Sequence, residues 1–434
     1  MVLLLRVPST GDRVGAIDPP ISQGLVAASL RTRGFAAEVL DLTWTGDSGL
    51  ETLATALRDN SLSIVGMSAY QTNMERCLRI AAFIRRMRPD VRILLGGPQA
   101  THMPIAGLAA MADVAGLCRG PAEIALPAYI QALARGESSY EGFLHRFEAG
   151  IVDGGRPPMP SPAEIRSPVV DGLWPPDRYS FAVSFSSRGC PYGCSFCYTP
   201  ASSGRRMLYS PLELVLREVA LLASAGVPHL FFADPIFIVD QARTLELLEG
   251  LRLLHTGLSF SCELRFEHVT EEILAAMARA GFVKVAYGLE TANERVLAGI
   301  RKSTDLQRFR ETVRRTLAHG IAVEAFYMFG LPGETFDDVL RTFDFVASLH
   351  EVTDQISEPQ QVQLYFGTNL LDRHQAYGIE LLHEGPAYLS PAKNFRTQTL
   401  GPDDFSALEE EWKRRRGDRP QPQNSGPAIA CPVP

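Results

Sequence analysis

The chain has 434 residues, a formal net charge of −7 and a pI near 5.8; 46% of its residues are hydrophobic and 21% charged. That length accommodates two or three domains with sizeable cores. The acidic balance supplies no overall basic field, which argues against bulk binding to nucleic acid. No run of 18 or more apolar residues occurs, so no membrane span is expected, and the apolar start at residues 2–5 is too short for a signal-peptide core. Three of the seven cysteines fall in one motif, which fits a reducing cytoplasm better than a disulfide framework.

Residues 1–135 alternate between short apolar strands and helices. Strands are expected at 2–5, 37–42, 64–68, 91–95 and 114–117, with an amphipathic helix over 21–34 closed by Gly34 and a second, basic-faced helix over 74–87. This alternation predicts an α/β fold with a parallel, doubly wound sheet, whose ligands bind at the carboxyl ends of the strands. The loops there are 7–10, 68–73, 96–102 and 119–123. Gly96 and Gly97 either permit a large ligand to approach the backbone or only make a tight turn. Residues 136–180 are rich in Gly, Pro and Ser, including Trp174-Pro175-Pro176, and read as a linker.

Six strands follow, at 181–186, 230–233, 260–266, 283–289, 323–329 and 362–366, with helices at 212–225, 245–255, 271–280, 306–319 and 336–349 between them. The pattern predicts a partial six-stranded barrel over 181–370, with its active site at the carboxyl ends of the strands. Residues 367–403 look irregular and 404–416 helical. The region 371–434 makes a small C-terminal part whose polar, Pro-rich end, 417–434, looks disordered.

The most informative segment is Ser187-Arg188-Gly189-Cys190-Pro191-Tyr192-Gly193-Cys194-Ser195-Phe196-Cys197, directly after the first barrel strand. Three cysteines spaced C-x3-C-x2-C can hold three corners of a four-iron cluster and leave one iron open. Zinc fits less well, because no Cys or His follows closely; the next are His229 and Cys262. Cys77, Cys118 and Cys262 lie in apolar segments and read as packing residues, and Cys431 as part of an unstructured end. On the third barrel strand, Glu263 and Arg265 share one face. Either they form a buried ion pair with each other or they meet a charged ligand.

The cysteine motif resembles that of the radical S-adenosylmethionine (SAM) superfamily. Asp234-Pro235-Ile236-Phe237, Gly288-Leu289-Glu290-Thr291, Lys302-Ser303-Thr304, Gly330-Leu331-Pro332-Gly333-Glu334-Thr335 and Gly367-Thr368 follow in the order of that family's barrel. The resemblance implies a [4Fe–4S] cluster on Cys190, Cys194 and Cys197. It also implies SAM contacts from Phe196, Asp234, Glu263, Arg265, Glu290, Gly330 and Pro332. Lys302-Ser303-Thr304 matches the family's helix start, although a plain N-cap explains the hydroxyls equally.

The N-terminal stretches 19–34, 64–68, 95–101 and 119–123 resemble the Rossmann-like cobalamin-binding domain that precedes many radical SAM domains. This implies cobalamin contacts from Pro8, Ser68, Ala69, Tyr70, Gln71, Thr72, Gly96, Gly97, Pro98, Gln99, Arg119 and Gly120. The chain has no D-x-H-x-x-G motif, so no histidine is marked as a lower ligand to cobalt, and Gln99 stands where the family usually has His. The combined resemblance implies a class B-like enzyme that methylates an unactivated carbon of a small molecule or peptide, with an external electron donor such as flavodoxin or ferredoxin. Rearrangement, cyclisation or oxidation with the same parts is the alternative. A cobalamin-sensing protein with an inert barrel is disfavoured by the intact cysteines, and a sulfur-inserting tRNA enzyme by the absence of further clustered cysteines.

Overall fold

A computed structural model describes residues 1–9, 19–44, 49–173, 179, 181–349, 358–382, 385–389 and 394–416. Cys431, the end at 417–434 and Trp174-Pro175-Pro176 lie outside the described residues. The chain divides into two compact units, one of residues 1–179 with 384–390 and the other of 180–383 with 391–434.

The first unit is built on a seven-stranded sheet: β1 Val2–Arg6, β2 Ala37–Asp41, β3 Ile64–Ser68, β4 Arg92–Gly96, β5 Gly116–Cys118, β6 Phe143–Phe147 and β7 Gly150–Asp153, in the order β2-β1-β3-β4-β5-β6-β7. Strands β1 to β5 are parallel, and β1, β3, β4 and β5 are the largely buried apolar runs such a sheet favours. The helices are α1 Ile21–Thr32, α2 Gly49–Ala56, α3 Met74–Met87, α4 Pro98–Thr101, α5 Ile105–Ala109 and α6 Ala122–Ala134. One face of the sheet packs with α1 and α6 through Leu4, Val26, Leu30, Leu94, Leu126, Tyr129 and Phe143. The stretch expected as a linker differs: residues 143–153 form the antiparallel hairpin β6–β7 and extend the sheet. Alternating Phe143, His145 and Phe147 carried that signal, and they stack with Tyr129 and Tyr140.

The second unit is a six-stranded, wholly parallel sheet of β8 Ala182–Ser184, β11 His229–Phe232, β12 Ser259–Leu264, β13 Phe282–Glu290, β14 Ala322–Phe329 and β15 Gln360–Gln361, in the order β15-β14-β13-β12-β11-β8. A small pair, β9 Ser187–Arg188 with β10 Leu208–Tyr209, brackets the cysteine loop. The helices are α7 Tyr198–Ser203, α8 Leu212–Ser224, α9 Gln241–Leu253, α10 Glu271–Ala280, α11 Glu294–Gly299, α12 Leu306–Ala318, α13 Phe336–Leu349, α14 Asn369–Asp372 and α15 Pro402–Arg416.

Along β14 every second residue is fully buried, from Val323 to Phe329, while Glu324, Phe326 and Met328 keep some exposure on the opposite, inner face. The sixth strand is shorter and earlier than the expected 362–366. Its two residues pair with Met328 and Phe329, and Val362 follows outside the strand. Helix α15 is part of the barrel's packing, since Trp412 lies edge-on to Tyr327 and against Phe343. A further hairpin, β16 Glu380–Leu381 with β17 Phe395–Arg396, occupies part of the region expected to be irregular. Cys77, Cys118 and Cys262 are buried in the cores as expected.

Candidate active site: a cysteine loop on the barrel and a loop crest on the sheet

The cysteine loop leaves the first barrel strand in a conformation that only particular neighbours allow. Gly189 has φ +87, and an added Cβ would stand 2.0 Å from Arg206 O, so a side chain there would collide. Asp234, just past β11, is wholly buried and anchors the loop's entry. Its carboxylate accepts from the Ser186 N–H and hydroxyl, both at 3.0 Å, and from the Ser187 hydroxyl. Burial lifts its pKa to about 6 against the pull of those donors. Asp234 was expected to contact SAM; in the structure its oxygens accept from Ser186 and Ser187. On the far side, the Ser195 N–H donates to Ile300 O at 3.0 Å and Ser195 O accepts from Leu370 N–H at 2.8 Å.

Cys190, Cys194 and Cys197 are unpaired and half-buried. Burial pushes all three thiols upward, Cys197 to about 12, while Lys302 and Arg265 pull Cys194 back down. Among the described residues no three His, Cys, Asp or Glu side chains are grouped around a single metal ion. A cubane instead distributes its thiolates over separate corners. The donor set therefore fits a cluster bridging the loop: three free thiols, with an Arg265 Nη1 hydrogen 3.9 Å donor-to-sulfur from Cys194 to favour its thiolate. Phe196 is half-buried between the last two cysteines.

Arg265 and Glu263 do not pair with each other. Arg265 bonds Glu267 at 2.7 Å and lays its guanidinium 4.0 Å from the Tyr192 ring centroid. Arg-x-Glu at the strand end was the overlooked signal for Glu267, and Tyr192 within the motif for the stacking partner. Glu263 lies one inward position deeper, level with Ala286 and beside the apolar group of Phe231, Ala233, Ala286 and Phe326. The residue keeps some exposure, yet its Oε1 is shut off from solvent without a hydrogen-bond partner. Burial and the neighbouring Glu324 and Glu290 raise its pKa to about 8.

Glu290 closes β13 with φ +66, a conformation that costs a non-glycine residue about 1–3 kcal/mol. The pairing with β14 skips a residue there, between Gly288 and Glu290. Lys302 holds the turned carboxylate, with Nζ 2.6 Å from Glu290 Oε1 and 2.7 Å from Gly288 O. Lys302 was read as a helix start; its role here is a buried counter-ion. After β14, Gly330 has φ +83, and the Gly330 and Leu331 N–H groups both donate to buried Glu334, at 2.9 and 3.1 Å. Burial nonetheless raises Glu334 to about 8. The backbone donors of this turn are thus satisfied internally, and Pro332 is buried beside them.

On the first unit, strand order reverses between β1 and β3, the position where a doubly wound sheet takes its ligand. The β3 loop is tied to the β1 loop there: Asn73 Nδ2 donates to Val7 O at 3.0 Å, Arg76 Nη1 to Pro8 O at 2.9 Å, and Thr72 Oγ1 to Ser9 Oγ at 2.9 Å. Tyr70 N–H donates to Asn73 Oδ1 at 2.8 Å, and Gln71 is half-buried next to it. Asn73 and Arg76 were overlooked as organisers of this crest. Gly97 sits at φ +85, ψ −179, and an added Cβ would stand 2.7 Å from Ser68 Oγ and 2.9 Å from Ala69 O. The immediate reason for Gly97 is therefore the neighbouring loop. A Cβ on Gly96 would meet only Cys118 Cβ, at 3.7 Å.

Pro98 starts α4, and Gln99 behind it is buried, donating Nε2–H to Tyr388 O at 3.1 Å while its Oε1 has no partner. Arg119 bonds Met103 O at 2.7 Å and Asp153 at 2.9 Å, which binds β5 to the hairpin β6–β7 rather than offering a free cation. Gly120 faces Pro157. The crest, half-exposed at Pro8, Ser68, Tyr70, Gln71, Gly96 and Gly97, fits a large ligand held by backbone and small side chains.

Residues 184–346 match the Radical SAM superfamily and residues 10–130 the B12 binding domain. An uncharacterized methyltransferase of Pyrococcus horikoshii is 26% identical over 365 residues, covering 80% of this chain and 78% of its own. The tryptophan 2-C-methyltransferase of Streptomyces laurentii is 24% identical, covering 81% of this chain and 72% of its own. Two solved structures share the fold. The radical SAM methyltransferase TsrM of Kitasatospora setae, with cobalamin and a [4Fe–4S] cluster bound, is 20% identical with TM-score 0.74, over 96% of this chain and 81% of that one. The cobalamin-dependent SAM radical enzyme OxsB is 18% identical with TM-score 0.78, over 94% of this chain and 66% of that one. With a B12 binding domain leading into a radical SAM domain, the chain belongs to the cobalamin-dependent radical SAM enzymes.

Proposed function

We propose that this chain is a C-methyltransferase that moves a methyl group from SAM to an unactivated carbon of a small molecule or peptide. The observation that carries the reading is the union of a B12 binding domain with an intact three-cysteine loop in one chain. When bound, the cluster supplies the electron that cleaves SAM to a radical, and the cobalamin supplies the methyl group. The chain's own residues do the positioning. Cys190, Cys194 and Cys197 hold the cluster, and Asp234 fixes the entry of their loop through Ser186 and Ser187. Arg265 favours the Cys194 thiolate and braces Tyr192.

Phe196, Glu263, Glu290, Gly330 and Pro332 line the SAM region, with Glu263 facing the ligand's positive charge. Lys302 holds the Glu290 carboxylate turned into place. Pro8, the 68–72 loop, Gly96, Gly97 and Pro98 cradle the corrin, with Gln99, Arg119 and Gly120 behind them. No side chain of the D-x-H-x-x-G type stands ready as a lower ligand to cobalt. The enzyme works in a reducing, cytoplasmic compartment with an external electron donor; among the described residues no helix is long and apolar enough to cross a membrane.

The named carbon methylation of the S. laurentii relative supports this reading. The test is anaerobic turnover with methyl-labelled SAM and candidate substrates. The label should reach a substrate carbon, with S-adenosylhomocysteine and 5′-deoxyadenosine formed in comparable amounts. The likeness to OxsB, which is named a radical enzyme and not a methyltransferase, favours a second reading: rearrangement, cyclisation or oxidation. Product with 5′-deoxyadenosine but no label and no S-adenosylhomocysteine would select it.

A further inference from the structure

Directly after β12, Arg265 is fixed from three sides against the cysteine loop. Its Nη2 donates to Glu267 Oε1 at 2.7 Å, its guanidinium carbon stands 4.0 Å from the Tyr192 ring centroid, and its Nη1 lies 3.9 Å from Cys194 Sγ. Two of those neighbours are themselves tied down. The Tyr192 hydroxyl is hydrogen-bonded to His268 Nε2, and Glu267 O accepts from Arg308 Nη2 at 2.9 Å. The Arg265 side chain is only 14% exposed, and its Nε–H is buried with no hydrogen-bond partner among the described residues. A buried donor on a charged group is costly to leave unmatched, so an acceptor is expected beside Cys194. Against the upward push of burial, Arg265 is among the groups that pull the Cys190 and Cys194 thiols back down. Arg205 makes the contrast. It donates its Nε–H to Pro191 O at 3.2 Å and is exposed, so solvent and salt screen its charge.

We propose that Arg265 sets the reduction potential of the cluster, aiming its N–H groups at the Cys194 sulfur and at an adjoining cluster sulfide. The proposal rests on the cluster reading given under Proposed function. One-electron reduction adds negative charge to the iron–sulfur core, and that charge spreads onto the sulfurs. Hydrogen bonds to those sulfurs and a nearby cation stabilise the reduced form more than the oxidised one, which raises the potential. No bond forms or breaks and no proton moves. Tyr192 and Glu267 hold the guanidinium in place before the electron arrives, so little has to reorganise when it does. Glu267 acts in the opposite sense, because its carboxylate offsets part of the positive charge that the cluster meets.

The test is an anaerobic potentiometric titration of the reconstituted full chain without SAM, followed by electron paramagnetic resonance. Iron content and SAM binding are measured on the same samples. Arg265→Gln should keep its iron and lower the equilibrium constant for one-electron reduction by about tenfold, a fall of about 59 mV. Glu267→Gln should move it the other way, upward by about threefold, because the guanidinium loses its compensating charge. Arg205→Gln should shift it by less than about twofold. Loosened packing would move both halves of the ion pair alike, so the opposite signs separate tuning from a structural role. An unmoved potential in iron-loaded Arg265→Gln protein would overturn the proposal, and so would an equal fall in Arg205→Gln. An unmoved potential with a SAM dissociation constant raised about tenfold would assign Arg265 to SAM instead. If Arg265→Gln holds no iron, Glu267→Gln decides, and the absence of an upward shift there overturns the proposal. A parent that takes up no iron would refute the cluster reading itself, and this inference with it.

Discussion

The two sheets place their ligand loops at the same edge, the carboxyl ends of parallel strands, yet they shape those loops by different means. In the first unit the loops are held mostly by side chains bonded to main-chain oxygens. Asn73 and Arg76 grip the β1 loop, Gly97 admits the β3 loop, and Arg119 spends its charge on Met103 O and Asp153. In the second unit ionisable groups sit inside: Asp234, Glu263, Glu290 and Glu334 are each buried or shielded, and Lys302 and Arg265 balance only two neighbourhoods. A corrin is large and needs shape, which backbone supplies. A cluster and a sulfonium are charged and need a field, which backbone supplies poorly.

That contrast is sharpest under substitution. Changing Cys190, Cys194 or Cys197 to Ala should abolish both the cluster absorbance and 5′-deoxyadenosine formation, because the other described cysteines, Cys77, Cys118 and Cys262, are buried in the cores; Cys262→Ala should leave iron content intact. Full SAM cleavage in any of the three single variants would sink the cluster assignment.

Gly97→Ala should cost about 1–3 kcal/mol for the backbone conformation alone, and more where the new Cβ meets Ser68 and Ala69. We expect a lowered thermal midpoint and loss of cobalamin retained on gel filtration, with cluster content unchanged. Loss of the cluster as well would mean that the two regions do not behave separately.

Asp234→Asn places an amide where three donors converge, and should cost about 1–3 kcal/mol through unsatisfied Ser186 and Ser187 groups. The cluster should form but decay faster under oxygen. SAM affinity should change less than two-fold, since the carboxylate faces the loop; a large rise in the SAM dissociation constant would return Asp234 to the ligand.

Glu263 sets a pH dependence whose sign is fixed by its raised pKa. The folded protein holds the proton up to about pH 8, whereas the unfolded chain releases it near 4.5. The folded state therefore loses stability as pH rises from about 4.5 to 8, and the loss levels off above that. Glu263→Gln should flatten this part of the profile and raise the thermal midpoint relative to the parent at pH 8.5. Without SAM, an unchanged profile would show that Glu263 is solvated. Addition of SAM should reverse the comparison, because the parent carboxylate gains a cationic partner that Gln lacks.

Much of this was legible in the sequence because the signals were local. Strand and helix alternation is a matter of period, and it located the parallel strands of both sheets to within a few residues. The three cysteines, Gly189 and the strand before them are contiguous, so the loop could be read as one object. The hairpin β6–β7 escaped because Gly, Pro and Ser on both sides masked a short alternation, and an antiparallel addition to a parallel sheet gives no crossover helix to announce it. The sixth barrel strand was displaced because its two paired residues, Gln360 and Gln361, are polar; pairing with β14 decides their state, not their hydropathy.

Residue identity alone determined that this chain has three thiols able to share a cluster, a glycine-bearing crest on a doubly wound sheet, and inward charges at period two on the third barrel strand. Only the tertiary structure decided which charge answers which. Arg265 turned to Glu267, Tyr192 and Cys194, so of the two readings of Glu263 the ion pair with Arg265 does not form. Asp234 was drawn to Ser186 and Ser187, and Glu334 to the Gly330 turn. The physical reason is that a charge's partner depends on distance and desolvation across strands far apart in sequence, and neither quantity is written in the spacing of residues along one strand.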